Sequence, residues 1–406
     1  MDLPATPSVS IPEFPIPQRD EPESWPFYGE DEVAAVAEVL RSGKVNQWTG
    51  DRVRAFERAL AHLSGVEHAI AVANGSVALE LALRVHGIGA GDEVIVTPRS
   101  FIASASSADL VGAIPVFADV DAHSQNISPE TIEPCIGPRT RAIIPVHLAG
   151  WPCDMPGIMA LAARHNLIVI EDCAQAIGAR INGRPVGSFG HAGTHSFCQD
   201  KIISTGGEGG AIVFREAHAW QLAWSYKDHG KSWDAVMAPS NGQASYRWLH
   251  ESIGTNLRMT EIQAAIGIVQ ITKLNRWLDL RRRNAAIWLD ALCRLDCLAL
   301  PQPPGNVQHA YYKLYTFVKP ERLQPGVDRD SLLRALTQAG IRAFFGSCPE
   351  IYLEKAYAAR AIEPLPVARQ LGQTSLMFEI HPTLREQTVR VAAARAAEII
   401  HQFQRD

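Results

Sequence analysis

The chain has 406 residues, of which 47% are hydrophobic and 20% are charged, and its formal net charge is −5. This length and composition allow a large hydrophobic core and about two domains. The slight acidity argues against a surface for nucleic acid or anionic lipid. The apolar runs are short and broken by glycine, proline or charge, so the sequence predicts no membrane span.

The N-terminus and the cysteines indicate a cytoplasmic protein. Residues 1–27 are rich in proline and acidic residues and lack the basic and apolar regions of a signal peptide, so we expect an extended arm. The cysteines number seven, include no Cys-x-x-Cys pair and mostly have apolar neighbours. This usage favours reduced thiols over disulfides or a metal site.

Two amphipathic helices follow the arm. The spacing of apolar residues predicts helices over Asp31 to Ser42 and Arg52 to Leu63. Between them lies the loop Asn46 to Gly50, which mixes polar and aromatic residues. We take Thr49 of this loop as a candidate substrate contact.

From residue 69 onward, short apolar strands alternate with helices. Strands are predicted over residues 69–73, 93–97, 114–118, 142–146, 167–170 and 211–214, together with a strand-like segment at 196–201. Helices are predicted over 77–85, 102–111, 155–165 and 215–228. The alternation predicts a mostly parallel sheet covered on both faces, with ligands at the carboxyl ends of its strands.

The C-terminal part has a different pattern. Residues 231–253 are polar and irregular, and a loop of this length is either mobile or functional. Thr260 and Gln263 form a capping box that predicts the start of a long helix running towards Leu295. We place the boundary between a large domain, 28–275, and a small domain, 276–406, on this helix.

The small domain is predicted to be α+β. Its elements are a strand over Lys313 to Val318, a helix over Arg329 to Ala339 and a final helix from Leu384. Thr383 and Glu386 have the spacing of a capping box for that last helix.

A lysine closes the strand-like segment that begins at Ser196, and the glycine-rich run Gly206 to Gly210 follows it. An amine at the end of a buried strand is partly desolvated, which lowers its pKa and frees it to capture a carbonyl group. Taken alone, Lys201 fits a solvated surface lysine better, because most lysines are solvated.

Asn74-Gly75-Ser76 lies between a predicted strand and a predicted helix. The free N–H groups and positive dipole of a helix start, together with a hydroxyl, bind phosphate. An ordinary helix N-cap is the alternative. The segment lacks the Gly-Lys-Ser/Thr of a P-loop and the further glycines of a dinucleotide fingerprint.

Asp172 comes just after the apolar strand at 167–170. A carboxylate buried there needs a partner, and a protonated heterocyclic nitrogen is such a partner. Gln175 lies three residues further on and can face the same ligand. The alternative is an aspartate that caps a helix beside a solvated glutamine.

A phosphate cradle, a strand-end aspartate and a strand-end lysine are together the parts of a site for pyridoxal 5'-phosphate. Asp172 would keep the ring nitrogen protonated. Lys201 would hold the aldehyde as a Schiff base and move the substrate proton. Phe101, which follows the strand at 93–97, is a candidate to stack on the ring.

These segments together resemble the DegT-type sugar aminotransferases, pyridoxal-phosphate enzymes of fold type I. The matching segments are residues 73–79, 97–101, 171–176, 196–201 with 206–210, and 254–261. The resemblance implies an α/β, aspartate-aminotransferase-like fold: a large domain with a mostly parallel seven-stranded sheet and a smaller C-terminal α+β domain.

The resemblance also implies residue roles. Lys201 would carry the Schiff base, Asp172 would pair with the pyridine nitrogen, Gln175 would approach the ring hydroxyl, Phe101 would stack on the ring, and Gly75, Ser76 and Ser196 would hold the phosphate. Asn256 would reach the phosphate in the neighbouring subunit, which implies a homodimer with shared active sites. His309 and Tyr311 match a segment near the sugar. Some relatives with histidine in place of the lysine are dehydratases, and Lys201 argues against that branch.

The sequence thus predicts an aminotransferase that moves an amino group from L-glutamate to a nucleotide-linked 3- or 4-keto hexose, for surface-polysaccharide or secondary-metabolite sugars. Transamination of a cyclitol or another keto-sugar is one alternative. A catalytically silent regulatory protein that binds the cofactor is another. A nicotinamide oxidoreductase is disfavoured, because Gly206 to Gly210 precede a strand and not a helix.

Overall fold

The computed structural model describes residues 23–238 and 247–405. The α-helices of this part are α1 Glu30–Ser42, α2 Arg52–Ser64, α3 Gly75–Val85, α4 Ala103–Leu110, α5 Pro129–Ile132, α6 Met155–His165, α7 Ala217–Lys227, α8 Trp233–Met237, α9 Glu261–Leu292, α10 Arg329–Gln338, α11 Pro366–Thr374 and α12 Glu386–His401. The strands are β1 His68–Val72, β2 Glu93–Val96, β3 Ile114–Phe117, β4 Thr140–Ile144, β5 Ile168–Asp172, β6 Arg180–Ile181, β7 Arg184–Pro185, β8 Ala192–Ser196, β9 Gly210–Phe214, β10 Leu298–Ala299, β11 Val307–Gln308, β12 Leu314–Val318, β13 Ala343–Phe344 and β14 Ser375–Phe378.

The large sheet has seven strands in the order β1-β9-β8-β5-β4-β2-β3. Strand β9 runs antiparallel to its neighbours β1 and β8, and the remaining pairs are parallel. The prediction of a mostly parallel seven-stranded sheet is therefore confirmed. The carboxyl ends of β1, β2, β5 and β8 meet at one edge, where the parallel arrangement brings chain segments that are far apart in sequence together.

Both faces of this sheet are covered by helices, as expected for a parallel sheet. Ile70 and Val72 of β1 face the layer of α3, α4 and α7, whereas Ala69 and Ala71 face the layer that contains α2 and the first half of α9. Successive residues of a strand point to opposite faces, so the nearly continuous apolar character of each strand is what a sheet with two covers requires.

A second, smaller sheet has the order β10-β12-β14-β13, with antiparallel pairing throughout. It packs with α10, α12 and the second half of α9 around a core that includes Trp288 and Phe378. A third sheet pairs β11, β6 and β7. The proposed division between residues 275 and 276 lies inside α9, which is continuous from one core to the other.

Most of the expected arm, residues 1–22, lies outside the described residues. The residues that follow are held against the rest of the chain. The Trp25 ring packs edge-on against Trp277 at 5.0 Å, and its Nε1 donates to the main-chain oxygen of Lys201 at 2.9 Å. Thr383 Oγ1 donates to the main-chain oxygen of Ser24 at 2.8 Å.

The strand that precedes the lysine was predicted in the wrong place. Strand β8 ends at Ser196, and Lys201 lies in the turn that follows it. The actual strand was missed because its sequence, Ala-Gly-Thr-His-Ser, is small and polar. Gly193 is required there, since an added Cβ would lie 2.5 Å from the Cα of Gly187.

Two further predictions need correction. The last helix begins at Glu386 with Arg385 as its N-cap, and not at Leu384. The Thr383 hydroxyl bonds to Ser24 and to His381 and therefore does not cap the helix. The long polar segment at 231–253 contains α8, and its residues 239–246 lie outside the described residues.

Within the described residues, no helix combines the length and apolarity that crossing a membrane requires. The capping box predicted for the long helix is present. Thr260 Oγ1 accepts from the Gln263 N–H, and the Gln263 side-chain oxygen accepts from the Thr260 N–H.

Candidate active site

Four of the predicted site segments lie at the carboxyl edge of the large sheet. Strand β1 leads to Gly75, β2 leads to Phe101, β5 ends on Asp172 and β8 ends on Ser196. Strand β9 starts at this edge, and its Gly210 is the register partner of both Val72 and Ser196.

The start of α3 packs closely against Ser196. A Cβ added to Gly75 would lie 2.7 Å from the Ser196 Cβ, and one added to Gly210 would lie 2.3 Å from the main-chain carbon of Asn74. The Asn74 side chain caps the helix by accepting from the Val77 N–H at 3.0 Å, so the N-cap alternative is correct for Asn74. The first N–H groups of the helix still have no acceptor within it. With the exposed Ser76 and the half-buried Ser196, they form a cradle suited to a phosphate.

Asp172 is buried at the end of β5, with 4% of its surface exposed. One carboxylate oxygen accepts from Ser104 Oγ at 2.9 Å and the other from the Ala174 N–H at 3.1 Å. Burial raises the pKa of Asp172, while these hydrogen bonds and the charges of Lys201 and His147 act in the opposite direction. Lys201 is thus near enough to interact with Asp172 electrostatically.

The side chain of Lys201 is mostly enclosed, with a relative exposure of 16%. Its Nζ lies 3.6 Å from the nearer oxygen of Asp200 and 5.1 Å from the centre of the Tyr312 ring. The Tyr312 hydroxyl donates to Asp200. Lys201 therefore lies against a tyrosine–aspartate pair and does not extend into bulk water.

Gln175 connects this edge to the segment at 309–312. Its Oε1 accepts from the Ala149 N–H at 2.8 Å, and the Ala149 oxygen accepts from the Tyr312 N–H at 2.9 Å. Because the Gln175 oxygen is already engaged, the amide NH₂ group is the part that remains to donate to a ligand.

His309 and Tyr311 lie next to each other on this segment, with ring centres 4.0 Å apart. The Tyr311 N–H donates to His309 Nδ1 at 2.7 Å. Burial, assisted by the charge of Arg282, lowers the pKa of His309 to about 3. His309 is therefore neutral near pH 7 and is suited to shaping the site, not to carrying a proton.

Besides Ser76, three predicted residues remain on the surface of the single chain. Phe101 is 66% exposed, and Asn256 and Thr49 are exposed as well. Asn256 pairs with Asp228 in an isolated bridge, and Thr49 Oγ1 donates to the main-chain oxygen of Asn46. Within the described part of one chain, no hydrogen bond joins Thr49 or Asn256 to the other predicted site residues.

The sequence analysis missed three side chains at this edge: Ser104, Asp200 and Tyr312. Ser104 lies within α4, where nothing in the local pattern distinguishes it from the other serines. Asp200 and Tyr312 are direct neighbours of Lys201 and Tyr311, which was the only available signal.

A second cluster lies on the other side of β5. The Glu171 carboxylate accepts from the N–H groups of Gly187, Phe189 and Gly190 at 2.7–2.8 Å and contacts His147 Nε2 at 3.1 Å. Cys173 brings a sulfur into the same group, within 4.8 Å. Burial raises the pKa of the Cys173 thiol well above its ordinary value.

A mostly parallel sheet with a lysine, a buried aspartate and a glycine cradle at its carboxyl edge has the architecture of an aminotransferase. Residues 26–395 match the model of the DegT/DnrJ/EryC1/StrS aminotransferase family. The chain belongs to this family.

Known proteins similar to this chain include two relatives and one solved structure. The UDP-N-acetyl-3-dehydro-alpha-D-glucosamine 3-aminotransferase of Acidithiobacillus ferrooxidans is 41% identical over 352 residues, which cover 86% of this chain and 88% of that protein. A pleiotropic regulatory protein of Geobacillus stearothermophilus is 33% identical over 392 residues, 96% of this chain and 99% of that protein. An aminotransferase structure from Psychrobacter cryohalolentis has a TM-score of 0.91 and 48% identity, and covers 93% of this chain and 98% of that one.

Proposed function

We propose that this aminotransferase binds pyridoxal 5'-phosphate on Lys201, takes an amino group from L-glutamate and transfers it to the keto group of a nucleotide-linked hexose. The observation that carries the proposal is that Lys201, Asp172 and a glycine cradle lie at the same edge of the large sheet. Lys201 is an enclosed amine and Asp172 a buried carboxylate whose pKa the charge of Lys201 acts to lower, and with the cradle these are the three groups that the cofactor's aldehyde, ring nitrogen and phosphate need.

The residues at this edge fit the cofactor. The cradle of Gly75, Ser76 and Ser196 would hold its phosphate. Asp172 would face its ring nitrogen, since a carboxylate whose pKa burial has raised is stabilised by a positive partner. When bound, the cofactor supplies a ring that withdraws electrons from the substrate carbon bearing the amino group.

Lys201 would carry out the proton transfers. Its amine is only 16% exposed and lies at the edge of the sheet where the substrate carbon would be bound, so it is the group placed to move the proton. The ring of Tyr312, held by its hydrogen bond to Asp200, would limit the positions that the Lys201 chain can adopt.

The acceptor is proposed from the relatives and from the surroundings of the edge. The relative from Acidithiobacillus acts, by its name, on a UDP-linked 3-dehydro sugar, which supports a nucleotide-linked 3-keto hexose here. His309, Tyr311 and Thr49 are the proposed contacts to this substrate.

A homodimer with shared sites is part of the proposal. Phe101 lies three residues before Ser104, whose hydroxyl bonds to the buried Asp172. Its side chain is 66% exposed in the single chain. A second chain would cover this edge, and Asn256 of each chain would then reach the phosphate cradle of its partner. Under this proposal the isolated chain contains only part of each site.

The test is reduction of the purified protein with borohydride, followed by peptide mapping. Wild-type protein should carry the cofactor mass on the peptide that contains Lys201, and Lys201→Ala should carry none. The matched control is Lys44→Ala, which removes an exposed lysine and should trap cofactor as wild type does. Cofactor trapped on another lysine in Lys201→Ala, or none in wild type, would overturn the proposal.

The name of the Geobacillus relative favours one second candidate, a regulatory protein that binds the cofactor without turnover. The two candidates differ in the first half-reaction. A transaminase changes its absorption spectrum when L-glutamate is added without any sugar, whereas a silent protein does not respond to any common amino donor. A panel of nucleotide-linked sugars, free sugars and cyclitol ketones would then separate the remaining acceptor classes.

A further inference from the structure

The carboxylate of Asp228 joins two parts of the chain that are distant in sequence. Asp228 follows the last turn of α7 and is fully buried, with 0% exposure. Its Oδ2 accepts from Gln47 Nε2 at 3.0 Å, and its Oδ1 accepts from Arg258 Nη1 at 2.7 Å. Gln47 belongs to the loop at 46–50 and Arg258 to the segment at 254–261, so one buried group holds the loop and the segment together.

Two lysines next to Asp228 fix the same loop further. Lys227 Nζ donates to Gln47 Oε1 at 3.1 Å, so both ends of the Gln47 amide are engaged by consecutive residues. Lys231 Nζ donates to Asp228 at 3.1 Å and lies 4.1 Å from the centre of the Trp48 ring. Hydrogen bonds that involve a charged group are strong and directional, so this part of the loop has little freedom to move.

Glu261 joins the same loop and segment at a second point. Its carboxylate, on a side chain that is 1% exposed, accepts from the N–H groups of Arg52 and Val53 at 2.6 and 3.0 Å. Its own N–H donates to the main-chain oxygen of Val45 at 3.2 Å. A Cβ added to Gly50 would lie 2.1 Å from the Glu261 carboxylate, so the loop and the start of α9 are in direct contact.

We call residues 45–53 and 256–261 the two-loop unit. Its attachments are buried, whereas Thr49 and Asn256, the predicted ligand contacts on it, are both exposed. The Asn256 Oδ1 accepts the main-chain N–H two residues further on at 3.3 Å, which leaves the amide NH₂ group to donate to a ligand. Buried hydrogen bonds that lock the support of an exposed contact are what a precisely placed binding group requires.

The two-loop unit lies at the end of β1. The Ala73 N–H donates to the main-chain oxygen of Leu257 at 2.9 Å, and Val72 pairs with Arg258 in an isolated bridge. The unit could therefore support the cradle of its own chain or extend to the cradle of a second chain. In a symmetric dimer each chain gives the same surface to the other, so the exposed contacts of the unit favour the second chain.

We propose that Asp228 is a positioning residue for the active site of the partner chain. It holds Thr49 and Asn256 on one rigid unit, which each chain inserts into the site of the other. Thr49 is thereby assigned to the partner's substrate and not to the substrate of its own chain. This inference rests on the proposed function, in which the sites of a homodimer are shared.

The test uses mixed dimers of Lys201→Ala and Asp228→Asn chains, co-expressed with different affinity tags and purified on both. Asp228→Asn keeps the shape of the side chain and removes the charge that holds Arg258. In the Asp228→Asn homodimer the Kd for pyridoxal phosphate, measured from the Schiff-base absorption, should rise about tenfold. In the mixed dimer one site combines Lys201 with an unaltered two-loop unit and should regain the wild-type Kd. The Lys201→Ala site cannot form the Schiff base and does not contribute to the signal.

Three controls define the outcome. Asp290→Asn changes an exposed aspartate of α9, and its homodimer should bind the cofactor as wild type does. Mixed dimers of Lys201→Ala and Asn256→Ala should regain the wild-type Kd, which tests the sharing of sites by itself. Mixed dimers of Lys201→Ala and Asp172→Asn should regain nothing, because both residues serve the site of their own chain.

Two results would overturn the inference. One is a wild-type Kd in the Asp228→Asn homodimer. The other is a mixed dimer that keeps the raised Kd, which would show that Asp228 supports its own chain's site or the general stability of its own chain. If Asp228→Asn gives no folded dimer, Gln47→Met replaces it. This variant removes the bonds to Asp228 and Lys227 and should raise the Kd about threefold, again with recovery in the mixed dimer, and a lack of recovery would contradict the proposal.

Failure of this inference is distinguishable from failure of the proposed function. If the function is wrong, borohydride traps no cofactor on Lys201. If the sites are not shared, the mixed dimers of Lys201→Ala and Asn256→Ala do not recover. If only the role of Asp228 is wrong, those dimers recover and the ones that contain Asp228→Asn do not.

Discussion

Glu171 and Asp172 are adjacent at the end of β5, and their side chains have different hydrogen-bond partners on the two sides of the strand. Both are buried, with exposures of 0% and 4%. The Glu171 oxygens accept three main-chain N–H groups and contact a histidine, whereas Asp172 accepts one hydroxyl and one N–H. Glu171 is saturated by the fold itself, whereas Asp172 keeps some of its acceptor capacity.

The number of filled acceptor positions distinguishes a structural carboxylate from a functional one. A buried carboxylate has about four acceptor positions, and filling them from the main chain fixes the loop that supplies the N–H groups. Leaving some of them open costs stability and prepares a place for a ligand cation. Mutations on the Glu171 side should therefore change stability, and mutations on the Asp172 side should change binding and turnover.

The largest effect is expected for Asp172→Asn. Loss of the charge opposite the proposed ring nitrogen should lower kcat for the half-reaction by about 10³-fold. Burial raises the pKa of Asp172, so stability is lost as pH rises from the pKa of the unfolded chain to the higher folded-state pKa, and the loss stays constant above it. The cofactor-free variant should therefore be at least as stable as wild type at pH 7, which thermal unfolding can check. Retention of most activity would remove the distinction between the two carboxylates.

Glu171→Gln should instead reduce stability, by about 3 kcal/mol, because the amide NH₂ would face N–H donors that the carboxylate now accepts. Denaturant unfolding measures this change. The control is Glu398→Gln on α12, an exposed position, where the change should stay within about 0.5 kcal/mol. If Glu171→Gln resembles its control, the saturated side of β5 is not the structural anchor described above.

A smaller effect on the same side concerns pH. Burial lowers the pKa of His195 to about 4, and neither ring nitrogen has a hydrogen-bond partner in the described residues. The unfolded chain binds a proton there first as pH falls below about 6.5, so stability is lost as pH falls from that value towards the folded-state pKa.

Between pH 7.5 and pH 5 this histidine should cost wild type about 2 kcal/mol of unfolding free energy. His195→Leu, which has a similar volume and no titrating group, should not show that part of the loss. His165→Leu changes an exposed histidine and should follow the wild-type pH profile. Identical profiles for His195→Leu and wild type would show that His195 does not titrate on unfolding.

The smallest effect is expected for Ser104→Ala on the Asp172 side. The Ser104 hydroxyl bond helps to lower the pKa of Asp172 and so to keep it charged. Removing it should cost about 1 kcal/mol, or about fivefold in the Kd for pyridoxal phosphate. Ser106→Ala on the same helix should bind the cofactor as wild type does, and an equal loss in both variants would assign the effect to α4 in general.

Much of the fold could be predicted from local patterns. The bounds of α6 and the capping box of α9 match the prediction, because apolar spacing and side-chain caps act within a few residues. Strand β8 could not be found this way, since its sequence is small and polar, and its Gly193 packs closely against Gly187. The cap predicted at Thr383 failed because Ser24, far away in sequence, accepts the bond from its hydroxyl.

The candidate site divides in the same way. The strand-to-turn surroundings of Gly75 and Asp172 could be predicted from the sequence, because each follows or ends an apolar strand, whereas the strand before Lys201 was placed wrongly. The hydrogen-bond partners of these residues and of their neighbours could not be predicted from the sequence. Hydrogen bonds join residues that are far apart in sequence: Ser104 and Asp172 are 68 positions apart, Tyr312 and Asp200 are 112 apart, and Trp25 and Lys201 are 176 apart. The sequence by itself determined the class of sheet and the groups able to perform the chemistry. Only the tertiary structure decided which buried polar atoms of the described residues remain unpaired, as on His195, because hydrogen-bond partners in a folded chain depend on distances in space and not on separation in sequence.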